Sequence, residues 1–557
     1  MRIMRITRAI ARLASGAALL LAASTARADD TKIVTSVDGI TALGGHVVDM
    51  SSDGRFVLFT STNSNYVAGD TNGLPDLFVI DRTTGGIERV NVASDGSEET
   101  GYEDEGFLRF SSISDDGNLV AFTTAAVFDP DDNPGWDVYL RDRAAGTTTL
   151  VSKGSSKGTI FESALLGQVT RDGSHVVFMS TLTTLVSGDT NSAADVFEWE
   201  VATGAMVRVS VDSSGKQLFL PNTYPHPSAD GSVVAFTQVQ LHGDVIRGFY
   251  TYVKDLNTGI LDRADLDSTG TFTSSYSTLD AISRDGRYVL FHCAESLVPE
   301  DTNGKSDGFV RDRTLATTER VTFAPGFAEI PDTSFARALS DDGRRVEFVT
   351  SAGLTPDDDD SSQDVFVANR DTGAVLRVSL GPNGEESVVA TDGVALSGDG
   401  SIALFTAAVD DLWPGDADAT EDGFVRELST VAAAWTNYGS GFPGRNGEPT
   451  LVLGDVPRRT LDVTLSIGNS SGTYTVAVLL FGAASQSLPT GLGGTLLVSP
   501  LEWIAVPLSP YANDLPFTVP ADGNLPGVHV YLQALELDPW AARGVSFTPG
   551  LDATIGD

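Results

Sequence analysis

The sequence predicts an all-β chain: a seven-bladed β-propeller closed by an N-terminal strand, followed by a small β-sandwich-like domain. Three observations lead there. An Asp-Gly pair recurs at Asp53, Asp116, Asp172, Asp230, Asp285, Asp342 and Asp399, at intervals of 55 to 63 residues. A phenylalanine stands six positions after each aspartate, at Phe59, Phe122, Phe178, Phe236, Phe291, Phe348 and Phe405. The seventh unit stops one strand short, while an unassigned strand precedes the first. Seven hits at one offset define a structural repeat.

Each unit reads as four strands. A first strand, such as Val47–Ser51, ends in a small residue, and the Asp-Gly pair makes the tight hairpin turn after it. The second, such as Arg55–Thr60, is rich in β-branched and aromatic residues. A longer loop leads to a third, such as Asp76–Asp81, and a Thr-Gly-type turn (Thr84-Gly85, Thr203-Gly204, Thr258-Gly259, Thr372-Gly373) to a fourth, such as Glu88–Val92. Four short strands repeated in this way are a propeller pattern. The last unit reaches its third strand at Asp422–Arg426 and lacks the fourth; Lys32–Val37 is expected to supply it. Closure of that kind removes exposed sheet edges, whereas an open solenoid would need caps at both ends.

Composition agrees. With 41% hydrophobic and 20% charged residues the chain is globular, and 557 residues allow more than one core. The 57 glycines and the scarcity of long helix-period segments favour β structure with many turns. At the start, Arg2, Arg5, Arg8 and Arg12 precede the apolar run Leu13–Ala23 and the small-x-small triplet Ala26-Arg27-Ala28. That is a signal peptide over residues 1–28, with a mature chain from Asp29; the apolar run is too short to span a bilayer. The propeller is expected over residues 29–430 and the sandwich over 431–557. Cys293 is the single cysteine, which excludes an internal disulfide and a lipidated cysteine at the mature N-terminus. The formal charge of −39 becomes −44 without the five arginines of the signal, a surface that repels nucleic acid and anionic lipid. The expectation is an exported monomer, periplasmic or extracellular, with no membrane span. Its partner would be an envelope or extracellular protein or glycan.

Units such as SSDGRFVLFTS followed by DTNGLPDLFVIDRTTGGIERVNV resemble the WD40-like (PD40) repeats of the TolB-type propeller family, over residues 32–428. The resemblance implies a propeller in a periplasmic or extracellular setting. The α/β domain that precedes the propeller in TolB has no counterpart here, so a Tol–Pal role does not carry over.

Loops between second and third strands, and between blades, emerge on the face opposite the tight turns, where ligands tend to bind. The loop before the third strand carries a second pattern, Asp-x-[Asp/Asn]-x-x-x-Asp. It occurs as Asp70, Asn72, Asp76; Asp131, Asn133, Asp137; Asp189, Asn191, Asp195; Asp301, Asn303, Asp307; Asp358, Asp360, Asp364; and Asp416, Asp418, Asp422. The fourth unit has no such loop and places Tyr250 at the last position. Two readings stand. Oxygen ligands at alternate positions resemble the opening of a calcium loop; without a glutamate at position twelve the affinity would be weak, in the ~0.1–1 mM range. Alternatively, the side chains make Asx-turns and tie the loop to the third strand with no ion.

No catalytic constellation emerges. Gly154–Gly158 and Gly468–Gly472 match Gly-x-Ser-x-Gly, but both lie in polar turns without the strand and helix that a nucleophile elbow requires. Gly439–Gly444 fits a dinucleotide fingerprint, which Pro443 and the missing βαβ context reject. The six histidines show no zinc spacing, and His292 with Cys293 reads as core. Two function classes follow: an exported binding scaffold using the long-loop face, and a propeller enzyme acting on an extracellular glycan through rim carboxylates. A channel pocket with converging acids and aromatics would speak for the enzyme, a flat rim with ions for the scaffold.

From about Ala433 the repeat stops. Leu461–Ile467, Thr473–Phe481, Thr495–Val498 and Val528–Leu535 read as strands of a sandwich. The stretches WTNYGSGFPG, LPTGLGGTLLV and VYLQALELDP resemble a C-terminal domain of exported planctomycete proteins, which implies an accessory module.

Overall fold

The computed structural model describes residues 31–555, apart from residue 40 and the segments 99–104, 130–131, 133–134, 155–162, 243–244, 272–275, 356–357, 359–360, 383–390, 408–411, 414–419, 429–433, 455–456, 458–461, 511–512 and 520–528. The expected signal peptide, residues 1–28, lies outside the described residues. Two compact units divide the chain, Thr31–Glu427 and one containing Leu428–Asp557. Among the described residues no helix is long and apolar enough to cross a membrane.

The first unit is a β-propeller of four-stranded antiparallel sheets, each ordered from inner to outer strand along the chain. Sheet 1 comprises His46–Met50, Phe56–Ser61, Asp76–Asp81 and Gly86–Arg89. Sheet 2 comprises Ser112–Ile113, Leu119–Thr124, Asp137–Asp142 and Thr147–Leu150. Sheet 3 runs Ala164–Val169, His175–Ser180, Asp195–Glu200 and Met206–Arg208. In sheet 4, Asn222–Pro227 and Leu261–Arg263 flank a long hairpin, Val233–His242 with Val245–Asp255. Sheet 5 runs Thr278–Ile282, Tyr288–Cys293, Asp307–Asp312 and Thr317–Arg320. Sheet 6 runs Ser334–Leu339, Arg345–Thr350, Asp364–Asn369 and Ala374–Arg377. Sheet 7 takes Thr391–Leu396, Ile402–Ala407 and Asp422–Glu427 from the end of the array, and its outer strand, Thr31–Ile33, from the start.

One turn builds every sheet. The hydroxyl of Ser51, Ser114, Thr170, Ser228, Ser283, Ser340 or Ser397 donates to the aspartate of the Asp-Gly pair at 2.6–2.9 Å. The same aspartate oxygen accepts the backbone N–H two residues on, at 2.8–3.0 Å. The glycine sits at φ between 67° and 75°, where side chains are disfavoured. Space requires glycine too: a Cβ at Gly117 would lie 2.1 Å from Phe56, and one at Gly54 2.4 Å from Ile402. Each turn thus receives a side chain from the preceding sheet, and sheet 1 receives it from sheet 7.

The repeated phenylalanine has an aromatic partner across the strand pair. Phe59–Phe78, Phe122–Tyr139, Phe178–Phe197, Phe236–Tyr252, Phe291–Phe309, Phe348–Phe366 and Phe405–Phe424 stack with centroids 5.3–6.2 Å apart. Such pairs contribute about 0.5–1.5 kcal/mol each beyond the area they bury. Closure repeats an internal rule. In sheet 2 the Ser152 hydroxyl donates to Asp137 at 2.6 Å, and in sheet 7 the Thr35 hydroxyl donates to Asp422 at the same distance. The N-terminal segment therefore supplies the side chain, as well as the strand, that a fourth strand supplies elsewhere.

The second unit is a β-sandwich. One sheet orders Ala434–Tyr438, Gly550–Thr554, His529–Leu537, Thr475–Gly482 and Glu502–Leu508, with Val545–Phe547 paired to His529–Leu537. The other holds Leu451–Leu453, Asp462–Ile467 and Asp514–Thr518. Leu453, Leu465 and Ile467 from one face meet Leu479, Phe481 and Leu532 from the other in a single core.

Candidate functional site

The acidic loops meet their partners at the outer strand. In register with the third-strand aromatic of sheets 1 to 7 stand Arg89, Leu150, Arg208, Arg263, Arg320, Arg377 and Ile33. In sheet 1, Arg89 Nη1 lies 3.3 Å from Asp70, 3.1 Å from Asp76 and 2.9 Å from Glu98, all three nearly or largely buried. In sheet 3, Arg208 lies 3.5 and 3.6 Å from Asp189 and Asp195, and the Gln217 amide donates to both at 2.8 and 2.9 Å. Arg377 pairs with Asp364 at 2.7 Å in sheet 6. In sheet 5, Arg320 bonds Glu329 at 3.1 Å and its charge reaches Asp301 and Asp307. A guanidinium thus stands among carboxylates at the place where the calcium reading puts an ion.

The central amide of the pattern makes the expected Asx-turn. Asn72, Asn191 and Asn303 accept the N–H of Leu74, Ala193 and Lys305 at 2.9, 3.0 and 2.6 Å. The last aspartate ties the third strand to the fourth: Asp76, Asp195, Asp307 and Asp364 accept from Asn91, Ser210, Thr322 and Ser379 at 2.5–2.8 Å, as Asp137 and Asp422 do from Ser152 and Thr35. Asp358 accepts the N–H of Leu354. Asp131, Asn133, Asp360, Asp416 and Asp418 lie outside the described residues. Among the described residues no group of three or more His, Cys, Asp or Glu has the geometry to hold a metal.

Three sheets depart from this clamp, and sheet 7 has Ile33 at the arginine position. Sheet 2 has Leu150 at the arginine position, and burial, with Asp132 adjacent, pushes Asp137 up to about 7. Sheet 4 has Tyr250 in place of the last aspartate. Arg263 stacks 3.7 Å over that ring and pairs at 2.6 Å with Asp265, so the carboxylate has moved from the third strand to the fourth.

The central channel is a second candidate. A cavity of about 230 Å³ is lined by the inner strands of all seven sheets, joined by Arg109 and Phe110 from the loop between sheets 1 and 2. At the tight-turn end, the residue between the turn Ser and Asp of each sheet forms a ring. Backbone bonds of 2.7–3.0 Å link Asp115 to Arg171, Asp172 to Ala229, Ala229 to Arg284, Asp341 to Gly398 and Gly398 to Ser52. Across that ring Arg284 pairs with Asp115 at 2.6 Å, and Ser52 donates to Asp341 at 2.9 Å. Slightly deeper, Arg171 pairs with Asp49 at 3.1 Å and donates to the carbonyl of Met50 at 2.7 Å.

The middle of the channel wall is shaped by bulges. The inner strand slips register at Val48, Asp280, Arg337 and Val394, and over Leu166-Gly167 and Tyr224-Pro225. Bulges re-aim side chains, and these fall mid-strand, with Val48, Asp280, Arg337 and Val394 each three residues before the turn hydroxyl. Asp280 engages His292 Nδ1 through both oxygens at 2.9 Å, and burial raises the Asp280 carboxyl despite that contact. Arg337 donates to Asp392 at 2.7 Å and lies over the Phe335 ring, whose neighbour is the His292 imidazole. Behind them Glu347, fully buried between sheets 6 and 7, is held well above the usual carboxylate range by burial and by Asp392. His226, beside them, is pushed down to about 4 by burial.

His292 is mostly buried on the second strand, its ring against Asp280 and edge-on to Phe335; Cys293 next to it is buried, with its thiol pushed up to about 12. The outer-strand arginines and the bulge residues carry the chemistry that the loop pattern missed. The arginine falls 13 residues after the last loop aspartate in sheets 1, 3, 5 and 6, a recoverable spacing. The bulge residues follow no single type: Val48 and Val394 are apolar, Asp280 acidic and Arg337 basic. Of the two nucleophile-elbow matches, Ser155 and Ser156 lie outside the described residues. Ser470 is buried in the sandwich, its hydroxyl bonded to Glu536 at 2.6 Å with no helix following.

No family model and no curated protein matches the chain. Solved structures similar to it include an oligogalacturonate lyase from Vibrio parahaemolyticus, at 12% identity over 72% of this chain and 93% of that one, with a TM-score of 0.43. The β-propeller domain of the Trilobed protease from Pyrococcus furiosus aligns at 10% identity over 69% and 93%, with a TM-score of 0.40. A protein described as TolB from Agrobacterium tumefaciens aligns at 15% identity over 57% and 95%, with a TM-score of 0.32. Scores this low carry no argument about ligand or chemistry; the four-stranded sheets described above make the chain a β-propeller protein.

Proposed function

We propose that the chain is an exported binding scaffold whose ligand enters the channel mouth on the long-loop face of the propeller. One observation carries this reading: a concave cavity with converging polar groups, narrowed at the turn end by its hydrogen-bonded ring and flanked at the other end by the exposed rings of Phe110 and Tyr224. Pockets of that description are the usual ligand sites. The basic and apolar segments ahead of Asp29 support export. Capture from envelope extracts by the immobilised mature chain, with and without calcium, tests the proposal. A partner that Arg337→Ala releases is expected; capture unchanged by that substitution would refute it.

The enzyme reading draws on the Asp280–His292 contact. With Nδ1–H donated to the carboxylate, Nε2 is the ring's remaining acceptor, the arrangement a general base uses. The calcium reading is strongest for sheet 2, where Leu150 stands at the position that arginine takes in sheets 1, 3, 5 and 6, and Asp137 is held up by burial. Millimolar calcium is expected to raise the melting temperature of the parent chain and to have no effect on Leu150→Arg, read by thermal unfolding against a chelator control.

A further inference from the structure

We infer that the channel mouth recognises a neutral carbohydrate, stacking a sugar ring on Tyr224 and Phe110 and binding its hydroxyls through Asp280–His292 and Arg337–Asp392. The inference rests on the channel-mouth reading above and names its ligand class.

The aromatic half comes first. Tyr224 has φ of 50°, a conformation that side chains with a Cβ rarely adopt, at the point where the inner strand of sheet 4 slips register. Strain of this kind persists only where the surroundings impose it, and it concentrates at binding sites. Its result is a ring left 48% exposed, 6.3 Å from the Phe110 ring, which is 42% exposed. Two large rings tilted 58° to each other, of which Phe110 lines the polar cavity, suit a ligand with apolar faces and a polar rim.

The polar half supplies that rim. Asp280 and Arg337 are bulge residues of adjacent sheets, each already paired: Asp280 with His292, Arg337 with Asp392 at 2.7 Å. Each pair offers hydrogen-bond donors and acceptors side by side, which matches hydroxyls, since a hydroxyl both donates and accepts. An acidic ligand would require an unpaired cation, and the whole chain carries −39. A wholly apolar ligand would strip water from these four polar side chains without replacing it.

Titration calorimetry with cellohexaose, xylohexaose, mannohexaose and hexagalacturonate tests this on the full mature chain. Binding of at least one neutral hexasaccharide is expected, with hexagalacturonate at least tenfold weaker. Tyr224→Gly, which fits the positive φ and so spares the fold, should weaken that binding at least tenfold with an unchanged melting temperature; Tyr224→Phe should retain it. Preference for hexagalacturonate, absence of heat with every neutral sugar, or binding indifferent to Tyr224→Gly each overturns the inference. The extract capture keeps it separable from the broader reading. A protein partner released by Arg337→Ala, with no sugar bound, removes the carbohydrate alone, while capture indifferent to Arg337→Ala removes both.

Discussion

At the outer strand, Arg89, Arg208, Arg320 and Arg377 occupy one equivalent position and perform one task. At the inner bulge, Val48, Asp280, Arg337 and Val394 also occupy one equivalent position, yet two are apolar, one acidic and one basic. The arginine recurs in sheets 1, 3, 5 and 6 because they share one problem, buried carboxylates that need a cation. The inner ring varies because a channel lined by seven strands can present seven different side chains to one ligand. Repetition marks what holds the sheets together; departure from it marks what the ring can be used for.

The contrast can be broken experimentally. Arg89→Ala leaves Asp70 and Asp76 buried without their guanidinium and is expected to cost about 3–5 kcal/mol, measured by urea unfolding. A loss below about 1 kcal/mol would show that the arginine is not the neutralising group. Next in size, Ser340→Ala removes the donor to Asp342 and the acceptor of the Arg345 N–H, for a loss of about 1–2 kcal/mol. The same change at Ser51 or Ser283 should cost the same, and unequal costs would mean that the turns are not equivalent.

Sheet 2 offers a pH test. The Asp137 carboxyl is raised in the folded chain, so its contribution to stability is complete below the ordinary carboxylate range and fades as pH rises through about 7. Asp137→Asn cannot ionise and should melt ~3 °C above the parent at pH 8, with the gap shrinking toward pH 5. A pH-independent difference would contradict the assignment. Smallest of all, Arg337→Ala, part-exposed at a bulge, should change stability by less than about 0.5 kcal/mol. A large destabilisation there would move Arg337 into the structural ring.

The architecture was legible because its signals are local. Asp-Gly, the phenylalanine six residues on and the loop aspartates all lie within one unit, so each is rewritten seven times with small changes. The closing strand was legible from its absence elsewhere, although it pairs as Thr31–Ile33 rather than over all of Lys32–Val37. The fourth strand of sheet 1 likewise ends at Arg89, before Val92, because Asn91 leaves the ladder to bond Asp76. The site was not legible. Asp280 meets His292 across a hairpin, Arg337 meets Asp392 across two sheets, and Tyr224 meets Phe110 across more than a hundred residues. No spacing rule joins them, because only the circular arrangement brings their strands to one channel.

The bond from Thr35 to Asp422 spans 387 residues. Sheets 1 to 6 can assemble from neighbouring hairpins on fast timescales, but sheet 7 has to bring together the two ends of the array, and such distant contacts form slowly. Until then the third strand of sheet 7 offers an unpaired edge to any other chain in the same state. A domain-swapped dimer, with each copy lending Thr31–Ile33 to the other, is the expected product of refolding at high concentration.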